Sequence, residues 1–235
     1  MLYLIAILKN IMKNPSSYLS LFTERIKIFQ NGGKLEFSLL DLGLCKITHH
    51  LIQEYQMTTN DVLKQIIKKE LRKSVHLILS YMMPINFQKM NFTVFPIEVE
   101  GEILRTSDKI SYSEGDLQVV FLLLKIAILL KDDKLYFLSN ITGSVSIYKE
   151  KINKDMISSC DFEHGTIGIA LLYQTMYLLT NIKFYSVQAD YWYSKSLKIL
   201  ALNPRGQELE TVRAFQAFEN PENSAWRKFF FLEYD

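Results

Sequence analysis

Apolar positions recur at helical spacing along most of this chain. Leu40, Leu44, Ile47 and Leu51 form one stripe and predict a helix over 38–56. Val62, Ile66, Leu71, Val75 and Leu79 form another and predict a helix over 61–82, capped by Thr59-Asn60-Asp61. Two helices, 2–14 and 16–29, precede these, joined at Pro15 and closed by Asn31-Gly32-Gly33. The stretch 84–112 breaks the periodicity with Pro84, Pro96 and Gly101, and segments such as Val94 to Val99 alternate. It predicts a long ordered loop with a short hairpin, and such loops are often functional. Helical patterning returns at 115–131, 133–140, 147–157, 165–180 and 184–201. After a polar stretch it returns again near 208–218.

One repeat is visible in this pattern. The segment from Gly115 to Lys131 aligns with that from Gly165 to Asn181: a glycine, about four turns of apolar helix, a polar break and a second helix. Hairpins of this kind bury a core only by stacking on one another, as a linear solenoid or a closed toroid. A glycine at each helix start lets backbone come close to whatever lies there.

Composition sharpens the class. Nine glycines and five prolines in 235 residues are too few for the turns of a sandwich or barrel. Aromatic residues at 13% and a hydrophobic fraction of 49% describe a folding chain rather than a disordered one. A net charge of +2 gives no electrostatic case for nucleic acid or an anionic membrane. The basic run Lys64, Lys68, Lys69, Arg72 and Lys73 reads first as a solvated helix face, with a binding patch as the alternative. Two cysteines, Cys45 and Cys160, make no disulfide framework and fit a reducing, cytoplasmic setting. The apolar run from Val119 to Leu130 carries Lys125 and is too short to span a bilayer. Met1 to Leu8 lacks the features of a signal peptide.

The segment from Ser158 to Tyr173 is the most informative. His164-Gly165 followed by Gly168-Ile169 and an apolar helix resembles the His-Gly-x-x-Gly hairpin of the lanthionine synthetase C (lantibiotic cyclase, LanC) family. Asp41-Leu42-Gly43-Leu44 is similar to the start of that family's Gly-Leu-Ala-His-Gly motif. The stretch from Asn91 to Pro96 is similar to the loop before its metal site. Ser111 to Asp116 falls where it has Trp-Cys-Tyr-Gly-Asp, and Trp226 to Leu232 resembles its closing tryptophan and apolar run. The order is kept from about residue 30 to 235, and the family's N-terminal hairpins have no counterpart.

The resemblance implies an all-α fold of stacked helical hairpins forming a partial α/α toroid. A single domain over 1–235 is expected, with N-terminal helices to 33, a hairpin and long loop over 34–110, and C-terminal hairpins from 111. In that family a zinc ion held by two cysteines and a histidine presents a substrate thiolate for addition to a dehydroamino acid. Here the first cysteine position matches Ser113 and the second Glu163, leaving His164 as the retained ligand. The motif histidine matches Lys46, and the arginine before the first cysteine matches Lys109. The expectation is a vestigial or altered site of Lys46, Lys109, Glu163 and His164. No metal is expected, since a neutral hydroxyl is a poor zinc ligand beside thiolate. Zinc is contingent on a rebuilt set using Cys160 and His164, with Glu163 and Cys45. The other readings of His164 and Cys45 are a structural histidine at a helix end and a small buried hydrophobe.

Three functions follow from this reading. The first is a degenerate cyclase-like pseudoenzyme in ribosomal peptide (RiPP, lanthipeptide-type) modification. It would bind a precursor peptide or a modifying enzyme, with an oligomer or second subunit completing the toroid. The second is a thioether-forming enzyme with a rebuilt site. The third is an unrelated all-α interaction or immunity protein.

Overall fold

A computed structural model describes residues 16–39, 43–88, 90–153, 157–202 and 209–222. The helix expected over 2–14, the pair Asp41-Leu42 and the closing run from Trp226 lie outside these. Packing divides the chain into two units, 1–82 with 97–105, and 83–96 with 106–235.

In the first unit α1 (Ser16–Gln30), α2 (Leu44–Met57) and α3 (Asp61–Ser80) follow one another, and α2 packs on both of the others. The expected cap forms: Asn60 Oδ1 accepts the Leu63 amide at 3.1 Å. α2 starts six residues later than its periodicity implied. Leu35 and Glu36 form a strand, β1, pairing antiparallel with β2 (Glu98–Glu100), and Phe37 N–H continues the ladder to Ile97 O at 2.8 Å. The ladder holds this stretch extended, so the helix begins only after Gly43. β2 turns through Gly101 into β3 (Ile103–Arg105), the hairpin expected in the long loop. The buried face of α3 also differs from the expected stripe. It is Ile67, Leu71, Ser74 and Ile78, whereas Val62 is 71% and Ile66 43% exposed. Ser74 belongs to this face because its hydroxyl meets that of Thr48 on α2 at 2.7 Å, a satisfied polar pair that an apolar pattern passes over.

The second unit is built of hairpins. α4 (Asp116–Leu130) pairs with α5 (Asp133–Asn153), α6 (Thr166–Thr180) pairs with α7 (Lys183–Leu202), and α8 (Leu209–Glu219) packs on α6. α4 and α6 contact each other and are buried nearly all round. That is why their sequences are apolar without a polar face. The repeat is visible in structure, although Gly115 has a φ of +91° and Gly165 one of −101°. Gly115 and Gly165 cap the two helix starts, and Lys131 and Asn181 close the two helices in the left-handed conformation. One expectation is corrected: 133–153 is a single helix, not two separated near Gly143. A Cβ on Gly143 would lie 2.5 Å from the Tyr185 hydroxyl and 3.2 Å from Val120, so glycine there permits close packing on α4 and α7. Among the described residues no helix is long and apolar enough to cross a membrane.

Candidate functional site

The repeat brings two equivalent loops together ahead of α4 and α6. In one, Ser111 Oγ accepts the Glu114 amide at 2.9 Å. In the other, Asp161 Oδ1 accepts the His164 amide at 2.6 Å and the Gly165 amide at 3.0 Å. Each side chain folds its loop into a turn delivering the chain to the helix start. Gly115 needs to be glycine, since its φ of +91° suits no other residue and a Cβ would meet the Lys109 carbonyl at 2.7 Å.

The loops then bind one another through equivalent positions. The Tyr112 and Phe162 rings lie 4.2 Å apart. Ser113 and Glu163, fifty residues apart, meet twice: Ser113 N–H reaches the Glu163 carbonyl at 3.1 Å and Ser113 Oγ reaches it at 3.0 Å. Ser113 Oγ also lies 2.8 Å from His164 Nδ1. A serine hydroxyl has one proton. Donated to the carbonyl, it leaves the oxygen to accept from Nδ1–H; donated to a bare Nδ1, it leaves the backbone N–H to serve the carbonyl. Either way Nδ1 is engaged. Ser113 is fully buried, whereas the side chains of His164 and Glu163 are 56% and 51% exposed, with Nε2 and Oε2 4.0 Å apart. The arrangement presents an imidazole edge and a carboxylate to solvent over a closed hydroxyl.

Gly168 seats this pair. Its missing side chain leaves room for the Phe162 carbonyl, which a Cβ would meet at 1.9 Å, and for Tyr112 at 2.8 Å. A second clamp fixes the loop ahead of α4. Asp116, in the first turn of α4, accepts from the Phe95 amide at 2.8 Å and the Val94 amide at 3.1 Å. Lys149 of α5 reaches the same carboxylate at 2.9 Å and the Ser107 carbonyl at 3.0 Å, with both charged side chains only 3% exposed.

Of the residues singled out from sequence, Glu163 and His164 come together with Ser113. Lys109 lies on the same approach, its carbonyl against Gly115 and its side chain exposed. Lys46 is a half-buried residue of α2 in the first unit. Cys160 is buried beside the second loop, and burial pushes its thiol pKa up, against a smaller lowering by a backbone hydrogen bond. Cys45 is buried in α2, and burial pushes its thiol up to about 12. Asp116 and Lys149 were not anticipated as positioning residues. Asp116 stood in a recognised motif, but no spacing connects it to a lysine on the next helix.

The donor set at 113, 163 and 164 is a buried hydroxyl already bonded to a carbonyl and an imidazole nitrogen, an exposed carboxylate and one imidazole. Zinc of the family type asks for thiolates at two of these places, so the residues present do not fit it. Among the described residues no group of three or more His, Cys, Asp or Glu is placed to hold a metal ion.

No protein-family model matches this chain, and no curated protein does. Among solved structures, nisin cyclase matches with a probability of 1.00 and a TM-score of 0.63 at 17% identity. The match covers 85% of this chain and 50% of that one, so the chain spans half the length of the structure it resembles. The helical-hairpin fold is therefore shared with nisin cyclase, the stacked-hairpin class expected from the sequence.

Proposed function

We propose that this chain is a lanthionine-cyclase-like protein of ribosomal peptide modification that has given up zinc chemistry and acts by binding. The occupant is a precursor peptide or the enzyme that modifies it. The carrying observation is the Ser113 hydroxyl, buried and shared between the Glu163 carbonyl and His164 Nδ1 where the related cyclases place a metal thiolate. A thiol entering such a site finds no Lewis acid of the family kind to lower its pKa. The solvent-facing His164 and Glu163 instead offer hydrogen bonds to a peptide. A rebuilt zinc set through Cys160 gains no support, because among the described residues no three His, Cys, Asp or Glu side chains are grouped to hold a metal, and burial raises the pKa of the thiol that would have to give up its proton.

The test is the zinc content of the purified protein by elemental mass spectrometry, before and after zinc loading and desalting. It is paired with free-thiol titration of a dehydrated, cysteine-containing precursor peptide. The expected result is zinc far below stoichiometry and no thiol loss, with the peptide retained in a pull-down. About one zinc per chain together with thiol consumption would overturn the reading.

A further inference from the structure

α1 and α3 flank α2 and leave between them a groove of about 790 Å³. Its walls carry an uneven charge. Lys68, Lys69, Arg72, Lys73 and His76 of α3 line it, and among its described lining residues there is no Asp or Glu. Lys73 is held by Glu70 at 2.7 Å, but Lys68, Lys69 and Arg72 have no carboxylate partner among the described residues. The whole chain is close to neutral, with 27 basic and 25 acidic side chains, so this concentration is local. Ile26, Phe29 and Leu77, each half-buried, supply apolar surface between the cations.

We propose that this groove docks an acidic peptide segment of a partner protein, with alternate apolar side chains seated against Ile26, Phe29 and Leu77. Charge complementarity carries the choice of occupant: three cations on one helix face with no carboxylate partner among the described residues recruit carboxylates, and an apolar floor rewards side chains that a simple anion lacks. The lining of α3 runs from Gln65 to Ser80, about 22 Å at the helical rise, which accommodates about seven extended residues. The chain's own residues 1–15 carry Lys9 and Lys13 and no acid, so their charge does not complement the groove. Nucleic acid is disfavoured by the near-neutral balance of the chain. The groove is remote in sequence from Ser113 and His164, and its use does not depend on whether zinc binds there.

The test is fluorescence anisotropy of the full chain with a labelled peptide of about eight residues alternating Glu and Leu. Comparison probes are a Glu-Gly peptide, a Lys-Leu peptide, inorganic polyphosphate and a single-stranded oligonucleotide. The expected result is salt-sensitive binding of the Glu-Leu peptide, tighter than for every comparison probe. The K68E/K69E/R72E variant should bind it about tenfold or more weakly. K134E/K183E/K198E, the same charge change on exposed helix positions of the second unit, should leave it unaltered, with both variants checked for folding by circular dichroism. Leu77→Gln should weaken the Glu-Leu peptide while sparing polyphosphate. No binding of the Glu-Leu peptide, equal loss in both charge variants, or equal or tighter binding of polyphosphate or the oligonucleotide would overturn the proposal.

Discussion

Replacing Lys149 with methionine tests whether the buried clamp positions the start of α4. Lys149 Nζ sits 2.9 Å from Asp116 Oδ2, and both side chains are 3% exposed. Removing one partner of such a pair leaves a buried charge and costs about 3–5 kcal/mol. Two features soften this. The Val94 and Phe95 amides still donate to the carboxylate, and its place in the first turn of α4 favours negative charge. The lost bond to the Ser107 carbonyl adds about 1 kcal/mol in the other direction. The expected loss is therefore about 3 kcal/mol. For a chain of this size that lowers the melting temperature by about 6–12 °C.

Urea denaturation followed by circular dichroism measures the loss, and hydrogen exchange at Val94 and Phe95 locates it. Asp116→Asn added to Lys149→Met removes the orphaned charge while keeping an acceptor for the amides. The double variant should thus be more stable than Lys149→Met alone by about 1 kcal/mol or more. A single variant within about 0.5 kcal/mol of the parent, with unchanged protection at both amides, would refute the clamp.

Gly168→Ala forces a methyl group to within 1.9 Å of the Phe162 carbonyl, so backbone must shift; a loss of about 1–3 kcal/mol is expected by thermal melting. An unchanged melting temperature would show that the loops are not seated there. Burial raises the Cys45 thiol from 9.0 to about 12, so the folded state holds its proton longer than the unfolded chain. Stability is full below pH 9 and falls by up to about 1.4 kcal/mol per pH unit from this group as pH rises toward 12. Cys45→Ala should flatten that alkaline slope in urea titrations, and an identical slope would refute the assignment. Ser113→Cys with Glu163→Cys places two thiols beside His164. This variant should take up about one zinc per chain after loading, where the parent takes up far less, and failure to do so would count against the positional match to the cyclase ligands.

The second unit was legible because its signals are local. Gly115 and Gly165 announce two helix starts, and each is followed by an apolar stretch that only a buried helix explains. Asn60 as a cap was equally readable. What escaped depended on distant partners. Leu35 and Glu36 are extended only because Glu98 and Val99 pair with them. The gap read between 140 and 147 contains Gly143, and nothing nearby in sequence shows that the Tyr185 hydroxyl occupies its side-chain space. At the site, the repeat placed Ser113 opposite Glu163, and the family pattern drew both to His164. The direct contacts among the three, and the buried Lys149 beneath α4, required the fold.

The bonds between the two loops separate two jobs that a metal performs at once. A zinc ion joined to both loops would tie them together and also activate a thiol. Here Ser113 N–H and Oγ reach the Glu163 carbonyl, Oγ meets His164 Nδ1, and the tilted rings of Tyr112 and Phe162 pack beside them. Each buried hydrogen bond contributes about 1 kcal/mol, and the ring contact adds about as much, so the tie is worth a few kcal/mol without any ion. The two loops are therefore held in register with a serine at 113 and a glutamate at 163. His164 and Glu163 face outward beside this tie, so an imidazole and a carboxylate stay open to solvent over loops that the buried contacts hold in place.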